Sequence, residues 1–191
     1  MSQMDKNQTY TLDEFLLYIK EEDRAELYEG VPVFMAPASF EHESVVANLI
    51  REFGNVLKGS DCFMFGSNLQ VIIPFKDEDK GKSDVVVLPD VSIVCDQNKL
   101  RNKRCYGAPD LIVEVLSPST RRNGRLLKRN YYEKAGVKEY LIADYQNRYI
   151  EKYVHQHRLL KLEDIYSKEN QFYVSTRFSD VHFSVNDIFS F

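Results

Sequence analysis

Apolar residues recur at helical spacing in one long stretch of the chain and gather into short β-branched runs in most of the rest. From Glu41 to Lys58, the residues Val45, Val46, Leu49, Ile50, Phe53, Val56 and Leu57 share one face of a helix, and Ser39 stands where an N-cap is needed. Upstream, Thr11-Leu12-Asp13-Glu14 has the form of a capping box ahead of Phe15, Leu16, Leu17 and Ile19, which predicts a short helix ending near Lys20. A third helix is predicted from Gly124 to Ala135, stopped by Gly136.

The remaining runs read as strands. Ala25 to Tyr28 and Val31 to Met35 flank Glu29-Gly30 as a small hairpin that ends at Pro37. Strands follow near Cys62 to Phe65 and Leu69 to Pro74, then a charged, exposed turn from Lys76 to Ser83. Val85 to Leu88 and Val91 to Cys95 are split by Pro89-Asp90, and a loop covers Asn98 to Gly107. Leu111 to Leu116 is a strand apolar on both faces, hence buried on both. Lys138 to Asp144 and Tyr149 to Val154 are joined by a turn at Gln146-Asn147. The tail holds short strands at Phe172 to Val174 and Val181 to Phe183, and a final helical turn. This order predicts an α/β fold of mixed α+β type, a central mixed sheet flanked by helices. The segment from Leu111 to Ala143 would be a strand-helix-strand crossover. One domain over residues 1–191 is expected, with the first ten residues flexible.

Composition narrows the function. A net charge of −4 gives no global basic field for nucleic acid, so any such role falls to local charge: Lys99, Arg101, Lys103 and Arg104, then Arg121, Arg122, Arg125, Lys128 and Arg129. The alternative reading is a set of solvated loop and helix charges. Cys62, Cys95 and Cys105 lack CxxC spacing and fit reduced thiols and a cytoplasmic protein. The N-terminus has no signal-peptide core and no apolar run is long enough to span a bilayer, so no membrane role is expected.

Within DLIVEVLSPST, Glu114 is a carboxylate in an apolar run, a costly placement that requires a partner, a raised pKa or a cation. Asp90 opens the preceding apolar strand. If the two strands are neighbours, both carboxylates converge and repel unless a cation lies between them. Such oxygen ligands suit Mg²⁺ or Mn²⁺. Lys128, on the following helix, could reach back to orient a water or neutralise phosphate charge. A Lys128–Glu114 ion pair without chemistry is the competing reading.

GAPDLIVEVLSPSTRRNGRLLKRNYYEKAGVKEYLIAD closely resembles the signature of the Uma-two family of restriction-endonuclease-like proteins, within the PD-(D/E)XK nuclease superfamily. AELYEG, MAPASFEHESVVANL and LPDVSIV resemble its acidic hairpin, first core helix and metal-binding strand, so the resemblance spans nearly the whole chain. It implies a Mg²⁺-dependent endonuclease acting on DNA as a dimer, with Asp90, Glu114 and the Val115 carbonyl as metal ligands and Lys128 assisting the attacking water. Leu116 stands where the superfamily pattern has lysine, and Lys128 occupies the family's alternative position. Gly124 replaces an aspartate usual four residues before that lysine, and Pro109-Asp110 lies too close to Glu114 to be the metal-binding Pro-Asp, so Asp110 reads as the polar start of a strand.

Auxiliary candidates are His42, which matches a family histidine or is a core or capping residue, and Glu26, which is a third carboxylate or an exposed hairpin charge. Arg121, Arg122 and Arg125 are the candidate nucleic-acid contacts. His155 and His157 read as surface residues, and Tyr131, Tyr132 and Tyr140 as core. The rival function is a non-catalytic domain of the same fold that binds nucleic acid or an unidentified protein partner.

Overall fold

Thr11 caps the first helix as its spacing predicts: its hydroxyl accepts the Glu14 N–H, and the Glu14 carboxylate accepts the Thr11 N–H at 2.8 Å. The structure, a computed structural model, describes residues 4–5, 7–20, 23–77, 81–82, 84–116, 124–167 and 171–191, with backbone alone at 76, 77, 81, 82, 124 and 125.

The helices are α1 (Leu12–Tyr18), α2 (Phe40–Leu57), α3 (Gly124–Ala135) and α4 (Val185–Ile188). The strands begin with β1 (Ala25–Tyr28), β2 (Val31–Phe34), β3 (Phe63–Gly66), β4 (Val71–Ile73), β5 (Lys76–Asp77), β6 (Gly81–Lys82), β7 (Val85–Val87) and β8 (Val91–Val94). They continue with β9 (Leu100–Arg101), β10 (Arg104–Tyr106), β11 (Leu111–Val115), β12 (Glu139–Asp144), β13 (Tyr149–Gln156), β14 (Leu159–Tyr166), β15 (Phe172–Val174) and β16 (His182–Ser184).

The mixed α+β architecture expected from the element order is present, and most strands divide between two mixed sheets. The first has the order β2-β1-β7-β4-β10-β9 and the second β14-β13-β12-β11-β8-β3. Pairing within them is antiparallel except for β4 with β10 and β11 with β12. The second parallel pair is the predicted crossover, with α3 as its helix. Three apolar layers result. Under α1, Phe15 meets Ala25, Leu27, Ile72 and Val86 of the first sheet. Between the sheets, Val71, Val85, Val87 and Cys105 face Ile112, Ile142 and the α3 rings Tyr131 and Tyr132. Beyond the second sheet, Val45, Leu49 and Phe53 of α2 pack on Val113, Leu141 and the tail residues Tyr173 and Phe183.

Strand alternation decides what enters each layer. On β11, Leu111, Val113 and Val115 face α2, which turns Ile112 and Glu114 into the layer between the sheets. On β1, Ala25 and Leu27 face α1, which turns Glu26 and Tyr28 to that same middle layer. The tail is tied down by polar contacts: the Asn48 amide donates to the carbonyls of Ile188 (3.0 Å) and Ser190 (3.1 Å). Fully buried Glu139 accepts from the Tyr173 and Ser175 hydroxyls and the Thr176 and Arg177 N–H groups. Asp110 serves as the polar start of β11, accepting from the Cys95 N–H at 2.9 Å and from Arg177.

The expectation of three reduced thiols is corrected for two of them. Phe63 lies opposite Val94, so Cys62 and Cys95 oppose each other one step further out, and they form a disulfide. Separation of 33 residues in sequence hides a pairing that strand register makes direct. Cys105 is a free thiol, buried, with its pKa pushed up to about 11 chiefly by that burial. Among the described residues no helix is long and apolar enough to cross a membrane.

Candidate active site

The end of β7, the turn into β8 and the second half of β11 lie at one end of the two sheets, and Lys128 reaches them from the first turns of α3. Its ammonium lies 3.1 Å from both Glu114 oxygens and 2.9 Å from Glu26 Oε1. The Leu88 N–H donates to the same Glu26 oxygen at 2.8 Å, which fixes the carboxylate against the first sheet. Asp90 Oδ2 accepts the Val115 N–H at 2.8 Å and lies 3.3 Å from His42 Nε2. Five of the residues singled out in the sequence, Glu26, His42, Asp90, Glu114 and Lys128, are thus drawn together from β1, α2, the β7–β8 turn, β11 and α3. Glu26 is 4% exposed, so the reading of an exposed hairpin charge is set aside.

Two tyrosines complete the cluster. The Tyr132 hydroxyl donates to Glu114 Oε1 at 2.6 Å, and the Tyr28 hydroxyl donates to Glu26 Oε2 at 2.7 Å. Tyr132 is fully buried and packs edge-on against Tyr140 as the core reading requires, while Tyr28 is half-buried. Their hydroxyls escaped the sequence reading. Tyr132 follows Lys128 by four positions on a helix, a spacing that puts two side chains on one face and could have signalled it.

Charge in this cluster is poorly solvated. Burial pushes Glu114 up to about 7; the Lys128 ammonium opposes the shift, and Asp90 and Glu26 add to it. Burial also works against a charged Lys128, but Glu114 and Glu26 outweigh it and hold the amine well above its ordinary value. Burial works against a charged His42 as well, and the hydrogen bond and charge of Asp90, with Glu43 beyond, carry it above its ordinary value. Burial raises Tyr132 well above the ordinary phenol, so it remains a donor at neutral pH.

Glu26 and Glu114 share the Lys128 ammonium and Asp90 is held beside them by the Val115 N–H, and the oxygens of all three are the donor type for a hard divalent cation. Among the described residues no three acidic, histidine or cysteine side chains form a cage of protein ligands. Mg²⁺ does not require one, since it is commonly bound by one or two carboxylates and keeps its remaining waters. The residues therefore fit the metal. Arg121 and Arg122 lie outside the described residues, as does the side chain of Arg125.

A family model described as "Putative restriction endonuclease" matches residues 12–186. An uncharacterized protein of Synechocystis sp. is 29% identical over 127 residues, 65% of this chain, and the match spans 62% of that relative's length. A crystal structure from Anabaena variabilis, described as a "putative nuclease belonging to DUF820", superposes with a TM-score of 0.76 over 94% of this chain and 97% of the other. At 20% identity that likeness speaks for the fold alone. Because the family model covers the α2 cap, the Pro89-Asp90 turn, the Glu114 strand and the Lys128 helix, the chain belongs to the Uma-two restriction-endonuclease family.

Proposed function

We propose that this protein is a Mg²⁺-dependent endonuclease that hydrolyses phosphodiester bonds of DNA at the cluster of Glu26, Asp90, Glu114 and Lys128. The observation that carries the reading is a buried lysine ammonium shared between two carboxylates, 2.9 Å from Glu26 and 3.1 Å from Glu114, with Asp90 held on the neighbouring backbone. Asp90, Glu114 and the Val115 carbonyl would hold the metal, which supplies Lewis-acid polarisation of the phosphate and a bound water of lowered pKa.

The chain's own groups account for the rest. The Val115 N–H and His42 Nε2 both meet Asp90 Oδ2, which fixes the carboxylate. Tyr132 holds one oxygen of Glu114 and leaves the other oxygen free of that hydroxyl. Lys128, kept charged by its neighbours, offers an ammonium in a poorly solvated setting, where it stabilises developing negative charge far more than it would in water. Among the described residues each protomer carries one such cluster, so cutting both strands of a duplex calls for two copies of the chain, acting as a dimer. Mn²⁺ would serve in place of Mg²⁺.

A second reading is favoured by the same ammonium: with both Glu114 oxygens and Glu26 already on it, Lys128 can be a structural ion pair in a non-catalytic domain. Supercoiled plasmid incubated with the protein in Mg²⁺, Mn²⁺ or EDTA separates the two. The hydrolase nicks DNA with either metal and not in EDTA, and Lys128→Met combined with Glu114→Gln stays folded and nicks nothing. A folded wild type that leaves the plasmid intact under every condition would favour the structural pair.

A further inference from the structure

The basic run Lys99 to Arg104 lies outside the carboxylate cluster. Its middle forms a two-residue hairpin, with β9 and β10 joined through Asn102 (φ 50°) and Lys103 (φ 61°), the left-handed pair that a type I′ turn demands. Neither residue is glycine, and a lysine in that region is uncommon. The register also places Arg101 directly opposite Arg104, a like-charge cross-strand pair of the kind that destabilises a hairpin. Two local costs at one turn call for a return elsewhere.

Both guanidiniums are pre-positioned. Arg104 donates through Nε to Gln70 Oε1 at 2.7 Å and through Nη1 to the Asn102 carbonyl at 3.3 Å. Arg101 stacks over the Tyr106 ring at 4.2 Å. Among the described residues, neither is in an ion pair with a carboxylate. β9 is the last strand of its sheet, so Arg101 stands on the edge strand and Arg104 one strand inward.

Register relates the edge to the site. Val87, Val71 and Cys105 stand abreast on β7, β4 and β10, so the next row toward the site is Leu88, Gln70 and Arg104. Two strand spacings separate Arg104 from Leu88, about 10 Å. Leu88 is the residue whose N–H holds Glu26, and Asp90 follows two positions later. The hairpin tip and the carboxylates therefore occupy the same end of the first sheet, but on opposite faces: Cys105 faces the second sheet, so Arg104, and Arg101 over Tyr106, emerge on the α1 face, and a ligand crossing the sheet end meets both. Duplex DNA carries a charge every ~1.7 Å of its axis, so a ligand at the carboxylates reaches the hairpin within a few phosphates. A chain of net charge −4 with an acidic site needs local positive charge of this kind to hold a polyanion.

We infer that the β9–β10 hairpin is a DNA-backbone contact, with Arg101 and Arg104 gripping phosphates on the flank of the Asp90–Glu114 site. This rests on the reading of that site as a DNA hydrolase. The test is anisotropy titration of a short fluorescein-labelled duplex in EDTA, across a salt series, with wild type, Arg101→Gln/Arg104→Gln and Arg101→Lys/Arg104→Lys. Neutralising both should weaken binding at least tenfold at low salt. It should also flatten the slope of log K against log salt by between one and two, at ~0.9 per lost phosphate contact. The melting temperature should change little, because loss of the repulsive pair offsets loss of the Gln70 and Tyr106 contacts, and the lysine variant should keep most of the slope. Unchanged affinity and slope in the glutamine variant, or a wild type that binds no duplex, would overturn the inference. Plasmid nicking in Mg²⁺ keeps the two readings apart. If wild type nicks and the glutamine variant binds and nicks as well as it does, the hairpin role fails and the hydrolase stands. If the variant loses binding while wild type never nicks, the hydrolase fails and the DNA contact stands.

Discussion

Glu114 shows how one residue can be both a defect of folding and the reason for a site. Its carboxyl is driven up to about 7, first by burial and then by Asp90 and Glu26. A carboxyl raised in the folded state gives stability that is fully present below its unfolded value and is lost as pH rises through the folded one. Between about pH 4.5 and 7 the native state holds a proton that the unfolded chain has released. Glu114→Gln should remove this slope, gaining on wild type by roughly 1–3 kcal/mol from pH 5 to pH 8 in urea melts. A parallel pH dependence in the two proteins would contradict the assignment. Lys128 makes the opposite case. Lys128→Met leaves Glu114 and Glu26 buried without a counter-charge and should cost about 3–5 kcal/mol. Adding Glu114→Gln to it should return part of that loss, and a double-mutant cycle with no coupling would show that the 3.1 Å contact carries no energy.

At the scale of elements, the disulfide is the feature most open to perturbation. It joins the start of β3 to the end of β8 and closes a loop that contains β4, β7 and the Pro89-Asp90 turn. Reduction, or Cys62→Ser with Cys95→Ser, should lower stability by about 2–4 kcal/mol, read as a shift in urea midpoint with and without dithiothreitol. A midpoint indifferent to reductant would mean that the bond adds nothing. Neither this bond nor some of the edge strands was legible in the chain. β14 escaped because Leu159, Leu162 and Ile165 are interspersed with charges and remain exposed on an edge strand, and the buried Leu160 and Tyr166 lie too far apart to mark a regular face. The β9–β10 hairpin escaped because its turn is dense in charge and lacks the glycine that usually announces a type I′ turn. By contrast α2, the capping box and the β11–α3–β12 crossover were legible, since each is set by local chemistry and a long apolar face. The cluster was legible in its charged members, whose placement in apolar runs is anomalous. It was not legible in Tyr28 and Tyr132, whose rings are ordinary core and whose hydroxyls matter only once the sheets face each other.

For the molecule as a whole, the division into two sheets explains why the cluster exists. The layer between them is apolar through much of its extent, and Glu26, Glu114 and Lys128 gather at the end where β1, β11 and α3 converge. The central claim is that this charged end hydrolyses DNA with a divalent metal. Asp90→Asn tests it with least disturbance, because an amide oxygen can still accept the Val115 N–H that Asp90 now accepts at 2.8 Å, while the charge that would hold the metal is gone. The decisive measurement is the rate of supercoiled-plasmid nicking by wild type and Asp90→Asn over a Mg²⁺ titration, with both proteins shown by circular dichroism to melt alike. The account predicts Mg²⁺-dependent nicking by wild type and a loss of at least a hundredfold in the variant. Equal rates in two folded proteins, or no nicking by wild type at any Mg²⁺ concentration, would contradict it.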